Sequence, residues 1–382
     1  MELTDLDESL MHQAAVPFQQ TIVSDHRFFD RMFLGGHCAE NIKVISGMAA
    51  YKNMNVFDGF LCLQKDGRQH NFRLSRPFLP EAGRLSVGPL SLEIVKPLEQ
   101  IRMTLASGSS YGHAADLLFT GIVPVHQEAP HVRRVNGRLE QDYRRFDQIG
   151  RLDGWIEIEG ERIEVDNWFS VRDHSWGVRP GVGGYEPVTA PPPAELKDPA
   201  VAGELFIWLA FHAGETSGQF QQFEDGNGAV RMTDGRIRRG DTEVAVRSIA
   251  HDIEFIPGTR VFSRARLSVG LADGEQLDIE AEALLSPWCY KGSGYDHGWD
   301  DERGLGFYRG ARLEADFYDV SHPENVVLPD GRVIQPWHRE QPVRLTVNGI
   351  AGLGHLPIIN AGVIRGYGLD KPSCNQRTDD QC

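Results

Sequence analysis

Cysteine is scarce in this chain of 382 residues: five, at positions 38, 62, 289, 374 and 382, with no C-x-x-C among them. An odd number of widely separated thiols excludes a disulfide framework and a zinc–thiolate site, and points to a reducing compartment. Long apolar runs are missing as well. None approaches the ~20 residues that span a bilayer, and the opening stretch MELTDLDESLMHQ is acidic rather than signal-like. The expected location is therefore the cytoplasm, with no stable membrane insertion. Basic residues are in deficit, 39 against 54 acidic ones, for a net charge of -15. Such a surface repels phosphate backbones and argues against nucleic acid as a partner. Although there are 14 histidines, no H-x-H, H-E-x-x-H or His/Cys cluster occurs, so no metal is expected. No Gly-x-Gly-x-x-Gly opens a helix and no Walker A sequence is present. The expectation is a chain that works with no cofactor.

Helical periodicity is the last absence, and it turns attention to what is there. Asp-Gly or Asn-Gly pairs at 66–67, 136–137, 153–154, 225–226, 234–235, 273–274, 330–331 and 348–349 are hairpin-turn signals spread over the whole chain. Short alternating segments lie between them. Residues 1–50 read as irregular, with one short helix near 8–13. Strands are then expected as a hairpin about 66–67, at 90–95, 100–105 and 115–123, and as a hairpin with arms 155–158 and 162–169. Residues 186–203, with three consecutive prolines, read as a stiff linker or a lid-like loop. Strands resume at 204–212 and recur at 218–223, 229–233, 237–256, 261–269, 277–285, 306–318 and 343–347. Length and strand count together predict a mostly β protein with two antiparallel barrel or sandwich domains, 1–185 and 204–382.

The chemistry concentrates in residues 168–180, WFSVRDHSWGVRP. Arg172, Asp173, His174 and Arg179 surround Trp176, so proton donors and acceptors stand beside an indole that can face a developing cation. The same inventory also closes the end of a β-barrel, with Arg stacked on Trp and Asp fixing the guanidinium. If the strand continues through Ser175, Arg172, His174 and Trp176 share one face and Asp173 points to the other. His174 is then the expected acid/base, and Asp173 a second one or a structural ion-pair partner. In the second half, Tyr295, Asp296, His297, Trp299 and Asp300 crowd a loop-like stretch, while Glu314, Asp316 and Tyr318 follow at period two. A Gly-x-Ser-x-Gly match about Ser110 lies in a β context and reads as a turn, not a nucleophile elbow.

With these residues in hand, the chain resembles the bacterial proteins related to carotenoid 1,2-hydratase (hydroxyneurosporene synthase). The likeness is carried by Arg172-Asp173-His174-Ser175-Trp176-Gly177-Val178-Arg179 and by the upstream run Tyr143 to Gly150 with Gly154. Downstream it is carried by Gly304-Leu305-Gly306-Phe307-Tyr308-Arg309-Gly310. The resemblance implies a double lipocalin-like (calycin) β architecture. It also implies a His-x-Trp functional pair, matched by His174 and Trp176. The Tyr-x-Asp pair of the characterised hydratases has no match here; the corresponding region offers Trp208 and His212, and no carotene is named as substrate. The expected function is a cofactor-independent lyase of the hydratase type, or an isomerase, acting on a hydrophobic terpenoid, steroid-like or aromatic molecule. Its alternative is a non-catalytic lipocalin-like carrier. The expected site is an apolar cavity at the domain junction. His174 and Asp173 would serve there as acid/base groups and Trp176 as the cation-facing wall. Arg172 and Arg179 would anchor substrate, with Trp168, Trp208, Tyr295 and Tyr308 around it. A homodimer is compatible with this reading.

Overall fold

The computed structural model describes residues 3–369 except 4, 9, 11, 13, 82, 109–111, 136, 183–202, 296–303, 311–312 and 336–338. The Pro-rich stretch 186–203 thus falls almost wholly outside the described residues, as do Ser110, Asp296, His297, Trp299 and Asp300. The described chain is nearly all antiparallel β, in two large sheets. None of its helices is long and apolar enough to cross a membrane.

The second sheet closes on itself. Strand Glu204–Ala213 pairs with Thr216–Asp225 on one side and with Ile350–His355 on the other. The path between them runs through Val230–Arg239, Thr242–Phe255, Phe262–Leu271, Gln276–Ala283 and Pro342–Val347. Alternation makes this possible: Gln276–Ala283 reads strictly exposed, buried, exposed, buried, so one face of each strand supplies the barrel interior. That interior is filled by Leu205, Ile207, Leu209, Phe211, Phe220, Leu267, Val269, Ile279 and Leu345, among others. It is a core, not a ligand chamber.

The first sheet runs from Arg68–Pro77 through Val56–Lys65, Lys43–Tyr51 and Phe28–His37 to the two long strands Glu161–Val178 and Arg138–Ile158. It continues through Ala114–Gly121, Gln100–Leu105 and Leu90–Lys96. It curls until its ends meet, Val87 and Leu90 packing over Gly59, and Leu34, Leu61, Phe72, Leu117, Phe119 and Ile156 fill the inside.

Two strands lie where the sequence reads as irregular. Phe28–His37 and Lys43–Tyr51 are central members of the sheet. Both are buried on nearly both faces over most of their length, which erases the polar/apolar alternation that marks a half-buried strand. Among the described residues, a short 3-10 turn, Asp5–Glu8, is the one regular element that precedes them. The expected strand at 306–318 is confined to Glu314–Asp319.

The chain also crosses back. Between Gln276–Ala283 and Pro342–Val347 it leaves the second barrel and packs on the outer face of the first. The turn Tyr290–Ser293 is held there by Arg73, whose Nε donates to Gly292 O at 2.6 Å, while Gln69 bonds both to and from the backbone of Cys289. Strand Glu314–Asp319 then adds to the edge of Arg68–Pro77. There Asp316 accepts from Asn71 and Tyr318 from Arg73. These acidic and aromatic residues tie the crossover down and do not line the junction cavity.

Candidate functional site at the junction of the two barrels

Three neighbouring strands, Arg138–Ile158, Glu161–Val178 and Phe28–His37, set the site. Their register puts residues in rows across the sheet: Tyr143, Gly177 and Phe29; Arg145, Ser175 and Arg31; Asp147, Asp173 and Phe33; Ile149, Val171 and Gly35. All of these belong to the face turned toward the second barrel. Glycine at 177 is required locally, because its φ is +138° and a Cβ there would lie 2.3 Å from Asp142 O. The second barrel faces these rows with Phe206, Trp208, Phe223, His355, Pro357 and Ile359, and Tyr290 and Tyr295 of the crossover close the end. The enclosed cavity measures about 310 Å³, at the lower end of the range for small-molecule sites.

Its wall holds a dense set of buried charges. Glu128, 2% exposed, receives Arg145 through both carboxylate oxygens, at 2.8 Å from Nε and 2.7 Å from Nη2. His131 Nε2 donates to it at 2.8 Å, and from the second barrel Trp208 Nε1 and Gln219 Nε2 donate at 3.3 and 3.0 Å. Burial opposes ionisation, yet the Arg145 guanidinium and the converging donors hold Glu128 well below the usual carboxylate range. Asp147 is the opposite case. It is 1% exposed, no donor reaches either of its oxygens, and Arg145 Nε stands 3.6 Å away. Burial and the Glu128 charge push its proton affinity well up.

Asp173 stands directly across from Asp147 in the register. Burial raises it as well, against the pull of Arg145 and Arg31. Two carboxyls face to face on adjacent strands are destabilising unless one keeps its proton. The wall therefore presents two opposed carboxyls of raised proton affinity, next to Phe33, Trp208 and Tyr295. That arrangement can give a proton to carbon and take one back.

The other expected residues divide. Arg179 lines the cavity with its Cζ 5.4 Å from the Tyr295 ring, and Trp208 and Tyr295 line it too. Arg172 contributes to the wall, but its guanidinium turns to the opposite face, where Nε donates to Gln148 at 2.8 Å and the group lies over Phe119 and Phe146. His174 and Trp176 do not line the cavity. Strand alternation holds as expected, with His174 and Trp176 on one face and Asp173 on the other, but the cavity lies on the Asp173 side. His174 instead pairs with Asp30 at 2.8 Å, and Trp176 is 36% exposed beside Phe146. Trp168 is buried in the first barrel core, and Tyr308 is 47% exposed away from the cavity. Arg31, Phe33 and Glu128 have no place in the sequence reading, and Tyr143, Arg145 and Asp147 enter it only within the run that carries the family resemblance, not as site residues. That run does alternate aromatic, basic and acidic residues, a signal legible in the sequence.

An antiparallel two-barrel β architecture with its cavity at the seam defines the class. Residues 3–369 match the model of a family of unknown function (DUF8625), and the chain belongs to that family. No curated protein matches it. Among the solved structures, the chain is similar to a crystal structure from Nitrosomonas europaea, provisionally described as AttH. The identity is 10%, the match covers 86% of this chain and 92% of that one, and the TM-score is 0.50. At that identity the likeness shows a common lipocalin-like fold.

Proposed function

We propose that the protein is a cofactor-independent acid–base enzyme, a lyase of the hydratase type or an isomerase, acting on a hydrophobic small molecule in the junction cavity. The observation that carries this reading is the opposed pair Asp147, buried, and Asp173, half-buried, two carboxyls with raised proton affinity on a wall they share with Phe33, Trp208 and Tyr295. Asp173 as its acid form protonates an alkene carbon, and Phe33, Trp208 and Tyr295 face the cation that results. In hydration, water adds to the cation and its surplus proton returns to the Asp173 carboxylate. In isomerisation, Asp173 instead removes a proton from the adjoining carbon. The Glu128–Asp147 pair, clamped by Arg145, keeps a proton beside Asp173 and so favours its recharging.

The resemblance to carotenoid 1,2-hydratase-related proteins agrees with this class of reaction and with terpenoid, steroid-like or aromatic substrates. The acid is assigned here to Asp173 rather than His174, because only the former lines the cavity. A carrier of lipophilic molecules would use the same chamber but has no need of converging carboxyls. The test is solvent-proton exchange: a panel of hydrophobic alkenes is incubated with the protein in deuterated buffer, and label in the recovered alkene or alcohol is read by mass spectrometry. Asp173→Asn should lower incorporation by about 10²–10⁴-fold, the usual worth of a general acid. Bound alkenes that never acquire label would leave only the carrier.

A further inference from the structure

Two guanidinium groups of the cavity lack an ion-pair partner among the described residues. Arg145 is engaged on both sides by Glu128. Arg31 and Arg179 have no carboxylate within ion-pair distance among the described residues. Arg31 is 4% exposed, donates from Nη2 to Tyr295 Oη, and has its Cζ 4.4 Å from the Tyr295 ring. Arg179 has its Cζ over the same ring and, at 5.3 Å, over Phe29. Aromatic faces soften the cost of holding these cations away from water without cancelling it. The cavity's other carboxylates are engaged elsewhere: Glu128 by Arg145, Glu204 by Arg133 and Glu340 by His355, while Asp173 and Asp58 act on Arg31 only from beyond ion-pair distance. Two guanidinium groups therefore flank Tyr295 without a direct anionic partner among the described residues, inside a chain whose net charge is -15.

We infer that the cavity takes a lipophilic monocarboxylate, its carboxylate seated at Arg31, Tyr295 and Arg179 and its apolar body along Phe206, Trp208 and Phe223. A carboxylate matches the planar guanidinium fork, supplies the ion-pair partner that Arg31 and Arg179 lack, and leaves the carboxyl pair free for chemistry elsewhere on the molecule. This deepens the acid–base reading by naming the substrate class, and it rests on that reading only for the statement that the ligand is turned over.

The experiment uses the full chain and two probes of equal length and different charge, dodecanoate and dodecanol, titrated calorimetrically below their micelle or solubility limits. Dodecanoate should bind at least about tenfold more tightly, the worth of one charge-assisted contact in a desolvated site. Arg179→Gln should cut that preference to about threefold or less, and Asp173→Asn should keep or enlarge it by removing the competing negative charge. Equal affinity for the two probes, or binding of neither, overturns the inference, and so does a preference that survives Arg179→Gln. The wild-type comparison stands even if a variant folds poorly. Deuterium incorporation that needs Asp173, without any carboxylate preference, would sink this inference alone; the converse result would sink the proton-transfer reading alone.

Discussion

Glu128→Gln is the most informative single perturbation of the junction. The glutamate accepts from Arg145 twice, from His131, and from Trp208 and Gln219 across the seam. A glutamine keeps the shape but brings an NH₂ group among five donors and strips Arg145 of its bidentate partner. Breaking a buried pair by removing one member costs about 3–5 kcal/mol, because the remaining charge stays buried and uncompensated. Spread over 382 residues, an unfolding entropy of about 2 cal/mol/K per residue converts this to a melting point lower by about 4–6 °C, for cooperative unfolding. Calorimetry on wild type and variant measures it directly. The charge argument makes a second, sharper demand. In Glu128→Gln the opposing anion is gone, so Asp147 becomes the natural partner of Arg145 and its proton affinity must fall. Arg145→Met combined with Glu128→Gln should then recover part of the loss, since no bare guanidinium is left. A Glu128→Gln protein that melts within about 1 °C of wild type, or a double variant worse than the sum of the singles, would refute the account of this cluster.

The remaining outcomes are cheaper to check. His174→Ala should change stability by about 1 kcal/mol or less and leave dodecanoate affinity untouched, because its contact is a half-exposed pair with Asp30; a tenfold loss of binding would return His174 to the site. Lys43 is fully buried, its Nζ donating to Ser286 O at 2.5 Å, and burial lowers its pKa from 10.5 to about 7. A depressed folded pKa means stability that is present above the unfolded value and is lost as pH falls toward 7, so Lys43→Met should gain on wild type over that window. The gain should approach roughly 3–5 kcal/mol by pH 6, and a pH-independent difference would contradict it.

How far the sequence reaches is instructive residue by residue. Turn pairs and period-two segments are local signals, and they led to most of the strands and to the mostly β, two-barrel class. The strand Phe28–His37 was invisible because burial on both faces removes the alternation on which such reading depends. Losing that strand also lost Arg31 and Phe33, one member of each central row. The motif about His174 does lie near the end of a strand, Glu161–Val178, and alternation does part Asp173 from His174. What alternation cannot supply is a sign. Which face turns inward depends on where the second barrel docks, a tertiary fact that no local period encodes. Glu128 is hidden for a similar reason: an isolated acid in a loop-like stretch acquires meaning only when donors from four other segments converge on it.

The choice of Asp173 over His174 also follows from what a wall of this kind costs to build. Opposing Asp147 to Asp173, burying Arg31 and half-burying Arg179 without ion-pair partners among the described residues, works against the stability of the sheet. The exposed face of the same strands shows the cheap alternative, with His174 paired to Asp30 and Arg144 to Asp142 at 2.9 Å in reach of water. A seam needing only closure could have been filled as the second barrel is, with leucine, valine and phenylalanine. Unfavourable charges that persist around a void, while the neighbouring core is packed without one, are where function opposes stability. By that criterion the acidic row, not the imidazole and indole behind it, is where the chemistry belongs.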